Sequence, residues 1–168
     1  MQELNLQDSI GLLIAAARRR IKQVVWSRLL PYGLTPQQFW VLLVLREHEG
    51  MSLHQLAEQI WTDDPTACRI IAKLADRKLV RADSHPDDRR RFRLRLTARG
   101  RKLAVDLVAL AEELRTGIER GLSAADRDTL RELLGRVVAN TDRMGAGSRP
   151  ERRGSAGAHP RRARGGAV

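Results

Sequence analysis

PTACRIIAKLADRKLVRADSHPDDRRRFRLRLT, Pro65–Thr97, changes its hydrophobic period partway along. Up to Leu74 the apolar residues recur at three- and four-residue steps. Ala67, Ile70, Ile71 and Leu74 share one helical face and leave Thr66, Cys68, Arg69, Ala72, Lys73 and Asp76 on the other. From Leu79 onward the period falls to two. LVRADS reads as a short strand, HPDDRRR holds turn-forming Pro and Asp, and FRLRLT alternates Phe92, Leu94 and Leu96 inward with Arg93 and Arg95 outward. The two runs predict a β-hairpin with a cationic tip.

Working outward, two capped helices precede this unit. TPQQFWVLLVLREHEG offers Thr35 as N-cap, Pro36 at the first helical position, Gln38 to complete a capping box and Gly50 as terminator. SLHQLAEQI repeats the device with Ser52 and Gln55, and a TDD link leads into Pro65. Nearer the start, Leu6, Ile10, Leu13, Ala17, Ile21 and Val24 predict one long amphipathic helix over residues 4–30, ending before Pro31 and Gly33. Thr97 caps a further helix with a Leu103, Leu107, Leu110, Leu114, Ile118 stripe. Ser123 and Asp126 box a last one carrying Leu130, Leu133, Leu134, Val137 and Val138. Beyond Met144 the Gly, Ala, Arg, Ser and Pro composition cannot bury enough apolar area to offset the entropy of ordering, so residues 145–168 are expected to be a disordered basic tail.

The charge distribution names the partner class. The 168 residues carry a formal net charge of +11. Residues 69–102 hold thirteen Lys/Arg against four Asp/Glu, and the segment 145–168 holds six Arg against Glu151, while the remainder is slightly acidic. Polyanions are the expected partners. One cysteine, Cys68, excludes an internal disulfide and a cysteine-built zinc site. The N-terminal segment places its acids before its apolar run and its arginines after, the reverse of a secretory signal. No run approaches the roughly 18 apolar residues of a membrane span. A cytoplasmic protein is expected, with no metal and no cofactor.

Two short capped helices, a third with a polar outer face and then a basic hairpin form the order of a winged helix-turn-helix. Thr66, Arg69 and Lys73, at helical spacing, make a donor-rich ridge suited to the major groove. The hairpin tip, with Arg89, Arg90 and Arg91, can reach the adjacent minor groove, and Asp87 or Asp88 can hold an arginine extended. Through LTPQQFWVLLVL, SLHQLAEQI, the Cys68-Arg69 helix, KLADRKLVRA and DDRRRFRLRLTARG, about residues 34–100, the chain resembles the MarR family of bacterial transcription regulators. The D-x-R wing followed by Leu96-Thr97-Ala98-Arg99-Gly100 is the most specific part of the match.

The resemblance implies a mainly α fold: a dimerisation helix in residues 1–33, a winged helix-turn-helix in 34–100 with a two-stranded wing, and C-terminal dimerisation helices in 101–144. It implies a homodimer that reads a pseudo-palindromic operator in double-stranded DNA and acts as a repressor released by a small aromatic or anionic effector. Pro65, Thr66, Cys68, Arg69 and Lys73 would belong to the recognition helix; Arg90 would be the minor-groove arginine, flanked by Arg89 and Arg91, with Asp88 as its orienting partner. Lys78 stands where the family usually has glycine, so either a lysine adopts a left-handed conformation or the helix ends differently. Pro65 replaces a small polar residue, giving up a phosphate-binding N–H while setting a good first-turn geometry.

Plainer readings stand beside these. Arginines at a hairpin tip can be merely solvated, but here the charge alternation continues into the strand and a recognition-like helix precedes it. Arg18, Arg19 and Arg20 point in three directions and read as a solvated or interface-rim feature. Trp26, Tyr32, Phe39 and Trp40 are candidates to line a ligand cavity, although aromatics at helical spacing are more often core. Trp61 reads as a hydrophobic staple or a phosphate-proximal contact. The family's thiol sensors keep their cysteine in the first helix, which has none here, so Cys68 reads as packing near a base or phosphate. His48, His54 and His85 lack metal-ligand spacing. An architectural nucleic-acid-binding protein without ligand response is the alternative. An enzyme is disfavoured, because no nucleophile-base pair, phosphate loop or metal constellation is visible.

Overall fold

A computed structural model of the chain describes residues 9–84 and 92–147. The described residues divide into two compact units, one ending at Arg120 and the other starting at Gly121. In the first, α1 (Ile10–Leu29) starts at Ser9, whose hydroxyl accepts the Leu12 N–H at 3.4 Å. Residues 4–8 of the expected first helix lie outside the described residues. The far end differs from expectation: a 3₁₀ turn, Leu30–Tyr32, takes Pro31 at its start, where a missing N–H costs nothing, and Gly33 closes it with φ 59. Val25 and Leu29 are the fully buried residues of α1, whereas Ile10, Leu13, Ile21 and Val24 are exposed.

α2 (Pro36–Glu47) and α3 (Leu53–Gln59) both begin with the capping boxes read from the sequence. Thr35 Oγ1 accepts from Gln38 N–H at 3.2 Å while Gln38 Oε1 accepts from Thr35 N–H at 3.0 Å. Ser52 and Gln55 exchange the equivalent bonds at 3.2 and 2.8 Å. α4 (Asp64–Asp76) starts one residue before Pro65, because the Asp63 carboxylate, not the proline, sets its boundary by accepting from Thr66 N–H at 2.8 Å. Its inner face is as expected: Ala67, Ile70 and Leu74 are buried.

Both flanks of α4 are left-handed turns without glycine. Trp61 has φ 54 and Lys78 has φ 56. After α3, Trp61 N–H donates to Glu58 C=O and Thr62 N–H to Ala57 C=O. After α4, Lys78 N–H donates to Ala75 C=O at 2.8 Å and Leu79 N–H to Leu74 C=O at 2.9 Å. These are the paired 5→2 and 6→1 bonds of a Schellman motif. Of the two endings left open at Lys78, the left-handed one is realised. Trp61 does not staple a helix, since it is 78% exposed.

β1 (Val80–Ser84) and β2 (Phe92–Leu96) pair antiparallel, with Val80 opposite Leu96 and Ser84 opposite Phe92. Met51 adds an isolated bridge to Leu94: Gly50 N–H donates to Leu94 C=O and Leu94 N–H to Met51 C=O, each at 2.9 Å. Gly50, expected to terminate α2, serves this bridge with φ 84, and α2 ends at Glu47. Leu94 and Leu96 enter the core, but Phe92, expected to point inward with them, does not; it is 57% exposed at the end of the strand farthest from the core. Residues 85–91, the tip with Asp88, Arg89, Arg90 and Arg91, lie outside the described residues.

α5 (Ala98–Ile118) starts on Thr97, whose Oγ1 accepts from Gly100 N–H at 3.0 Å and whose hydroxyl donates to Lys78 C=O at 2.7 Å. Leu107, Leu110 and Leu114 join the core with Ala104, while Ile118 is exposed. In the second unit, α6 (Ala124–Gly147) begins with Ser123 and Asp126 exchanging bonds at 2.9 and 3.1 Å. It leaves Leu130, Leu133 and Leu134 exposed. The helix runs to Gly147, past the boundary expected at Met144, and the rest of the tail lies outside the described residues. No described helix is long and apolar enough to cross a membrane.

Two substitutions test this frame. A Cβ at Gly100 would sit 2.0 Å from the Leu79 carbonyl oxygen, a backbone atom that cannot step aside. Gly100→Ala should therefore destabilise by about 1 to 3 kcal/mol in urea unfolding, although alanine is the better helix former by about 1 kcal/mol. Lys78→Gly should do the opposite and raise the urea midpoint, by up to about 1 kcal/mol of stability, because glycine relieves a left-handed residue.

Candidate nucleic-acid interface

α4 presents the ridge that the sequence led us to expect. Pro65, Cys68, Arg69 and Lys73 are exposed, and Thr66 is partly so. The Arg69 guanidinium lies back along its own helix, with Nη2 donating to Thr66 Oγ1 at 3.0 Å and Nε to the Pro65 carbonyl at 3.4 Å. Beneath it, bonds from Thr66 hold the Asp63 carboxyl below its ordinary range, helped by the Arg69 charge. Lys73 follows at i+4 on the same face. The Cys68 thiol is free and exposed on this surface.

A second group gathers where α3, α4 and the wing approach one another. A hollow of about 630 Å³ is lined by Ser52, His54 and Gln55 of the α3 start, Asp64 of α4, and Phe92 and Arg93 of β2. His54 Nδ1 lies 3.2 Å from Asp64 Oδ1 and Nε2 lies 3.5 Å from Glu58 Oε1. The hydrogen bond to Asp64, then the charges of Asp64 and Glu58, raise the imidazole above its ordinary pKa. The sequence offered no sign of this pairing, since ten residues and a turn separate the partners.

The base of the wing is largely charge-compensated, with two carboxylates shared among three arginines. Glu49 lies 3.0 Å from Arg101 and 3.7 Å from Arg95, and Asp83 lies 3.2 Å from Arg81 and 3.7 Å from Arg95. Arg77, at the end of α4, reaches the α1–α2 linker and donates to the carbonyls of Gly33 at 2.7 Å and Tyr32 at 3.0 Å. That tie fixes the recognition-like helix against the first helix's end.

Phe39 is wholly buried, and Trp40, one helical step round and 48% exposed, meets it edge-on at 4.9 Å between ring centres. Trp26 is 46% exposed, and Tyr32 packs against the core. The hollow beside His54, the one between α1 and α5, the one beside Glu49 and the one at the start of α2 are lined by none of the four. Among the described residues no three His, Cys, Asp or Glu side chains converge as metal ligands.

The MarR family sequence profile matches residues 32–91. A probable transcriptional regulator from Pseudomonas aeruginosa is 30% identical, with a TM-score of 0.69 over 79% of this chain and 98% of its own. BpsR of Bordetella bronchiseptica, whose DNA binding is regulated by 6-hydroxynicotinic acid, is 29% identical, with a TM-score of 0.72 over 79% of this chain and 95% of its own. The transcriptional repressor CouR, solved on a 23-mer DNA duplex, is 26% identical, with a TM-score of 0.70 over 82% and 98%. Identity at this level across nearly the whole of a homologue, with the family profile falling on the helix-turn-helix and the first strand of the wing, establishes the kinship: the chain belongs to the MarR family of DNA-binding transcriptional regulators.

Proposed function

We propose that the protein is a homodimeric, sequence-specific repressor that reads a pseudo-palindromic operator and is released by a small aromatic or anionic ligand. The observation that carries this reading is the outward face of α4. It has a bidentate-capable arginine, a lysine and a hydroxyl on a helix whose opposite face is locked into the core. Arg69 and Lys73 would contact base edges or phosphates in the major groove, with Pro65, Thr66 and Cys68 beside them. Asp88, Arg89, Arg90 and Arg91 are read from their sequence as the minor-groove wing.

Dimerisation is supported by apolar side chains that a lone subunit leaves wet. Ile10, Leu13, Ile21 and Val24 on α1, and Leu130, Leu133 and Leu134 on α6, are all exposed. Ligand release is supported by the regulation of BpsR by 6-hydroxynicotinic acid, and Trp26, Tyr32, Phe39 and Trp40 remain the proposed aromatic contacts. An architectural protein would share the cationic surface but not the discrimination.

Selection of bound duplexes from a random pool should return a palindrome with half-sites about one helical turn apart. Affinity for it should exceed that for random duplex by at least about a thousandfold, and sedimentation should give a dimer. A ratio near one would leave the architectural reading standing. Arg69→Ala should cost about 1 to 3 kcal/mol and relax preference at one base pair per half-site. An equal loss on every sequence would move Arg69 from the bases to the backbone.

A further inference from the structure

We infer that the small hollow between the start of α2 and the outward face of α4 seats a phosphate of the DNA backbone, and that Gln37 contacts it from outside the recognition helix. The inference rests on the proposed reading of α4 as the recognition helix. The hollow, about 170 Å³, is lined by Thr35, Gln37, Gln38, Thr66, Arg69 and Lys73, with Ile70 among them. Every polar group there can donate a hydrogen bond, two are permanent cations, and no carboxylate lines it. The larger hollow beside His54 contrasts, because Asp64 is in its wall.

The polar groups in the small hollow are not used up by the protein itself. Neither Lys73 nor Gln37 has a hydrogen-bond or ion-pair partner among the described residues. Gln38 is only 6% exposed, and its Oε1 is taken by Thr35 N–H, while its amide nitrogen has no described partner. Among the described residues no buried side-chain atom is left unsatisfied, so that nitrogen is not sealed off, and Gln38 lines the hollow. Arg69 is held in place by Thr66 Oγ1 and the Pro65 carbonyl, so it needs little reorganisation to meet an anion.

The backbone of α2 agrees. Pro36 has no N–H and Thr35 Oγ1 occupies that of Gln38, so Gln37 N–H is the donor left over in the first turn. An acidic residue would ordinarily be favourable there, yet the first turn of α2 contains none. An approaching phosphate explains both features, because an acid at this position would repel it while a neutral amide can donate to it.

The test uses the full chain with Gln37→Glu and Gln37→Lys, and Gln59→Glu as the same charge change on α3. Binding to the selected palindrome and to random duplex of equal length is followed by fluorescence anisotropy between about 50 and 200 mM KCl. Gln37→Glu should weaken both duplexes by the same factor, about tenfold, and reduce the slope of log K against log salt by about one; Gln37→Lys should increase that slope by about one. The melting temperature of Gln37→Glu should not fall, since a first-turn acid suits the helix dipole. A merely structural Gln37 would give the opposite pattern.

If Gln37→Glu behaves like Gln59→Glu, the inference is wrong. A loss confined to the palindrome would make Gln37 a base reader and overturn the phosphate assignment. Inorganic phosphate, exchanged for chloride at constant ionic strength, separates the remaining source. Saturable binding that Gln37→Glu abolishes, with duplex affinity intact, would make the hollow a free-anion site and refute the backbone contact. Failure of the wild-type chain to bind any duplex would instead remove the reading of α4 on which the inference stands.

Discussion

The close approach of Gly100 to Leu79 holds the reading head together. Three elements converge on that one peptide: α4 ends just before it, β1 starts just after it, and α5 begins against it. Leu79 N–H closes the Schellman bond to Leu74, its carbonyl receives Thr97 N–H at 3.0 Å, and its side chain is buried in the core. Glycine allows the first turn of α5 to lie directly on that carbonyl. The recognition-like helix, the wing and the helix leading away from them are thereby indexed to a common backbone position. A shift in any one must strain the other two, which is how a packed junction transmits displacement.

Electrostatics then separates scaffold from contact surface. At the base of the wing, Glu49 and Asp83 compensate Arg81, Arg95 and Arg101, and Arg77 spends its guanidinium on two linker carbonyls. Pairs this exposed contribute little stability individually. Their effect is to direct strand and linker geometry while leaving cations available on α4, where Lys73 has no partner among the described residues and Arg69 makes its hydrogen bonds only to neutral oxygens. The surplus charge seen in the composition is therefore not spread evenly. It is cancelled where it would only repel itself and left open where a polyanion can approach.

Much of this was legible because it is local. Thr35 with Gln38, Ser52 with Gln55, Thr97 with Gly100, and Ser123 with Asp126 each satisfy a helix end within three residues, so the pattern and the structure are one object. The two faces of α4 were legible for the same reason. What escaped depends on partners distant in the chain. Met51 carries no alternation that would mark a strand, yet Leu94 recruits it into a bridge. Phe92 keeps the inward parity of Leu94 and Leu96 but stays exposed at the strand end. His54 and Asp64, and Arg77 with the Tyr32 and Gly33 carbonyls, meet only once the helices have packed. Cavity formation by Trp26, Tyr32, Phe39 and Trp40 is likewise undecidable from spacing, since adjacent helical positions such as 39 and 40 point in different directions.

The two left-handed turns show how the contact helix can be both rigid and mutable. Trp61 precedes α4 and Lys78 follows it, each in a conformation that costs an ordinary residue about 1 to 2 kcal/mol. Such strain persists only where surroundings over-determine it, and here they do. Ala57 and Leu74, whose carbonyls accept the 6→1 bonds, are buried, as is Leu79 beyond the second turn. The helix is thus positioned by the Asp63 cap at its start, by Arg77 at its end, and by main-chain bonds and inward-facing side chains between and beside them. None of the residues on its outward face takes part in that positioning except Thr66, and Thr66 does so only through its backbone N–H to Asp63. The outward face of α4 can therefore change residue by residue without moving the helix that carries it. A single fold can then be retargeted to different operators.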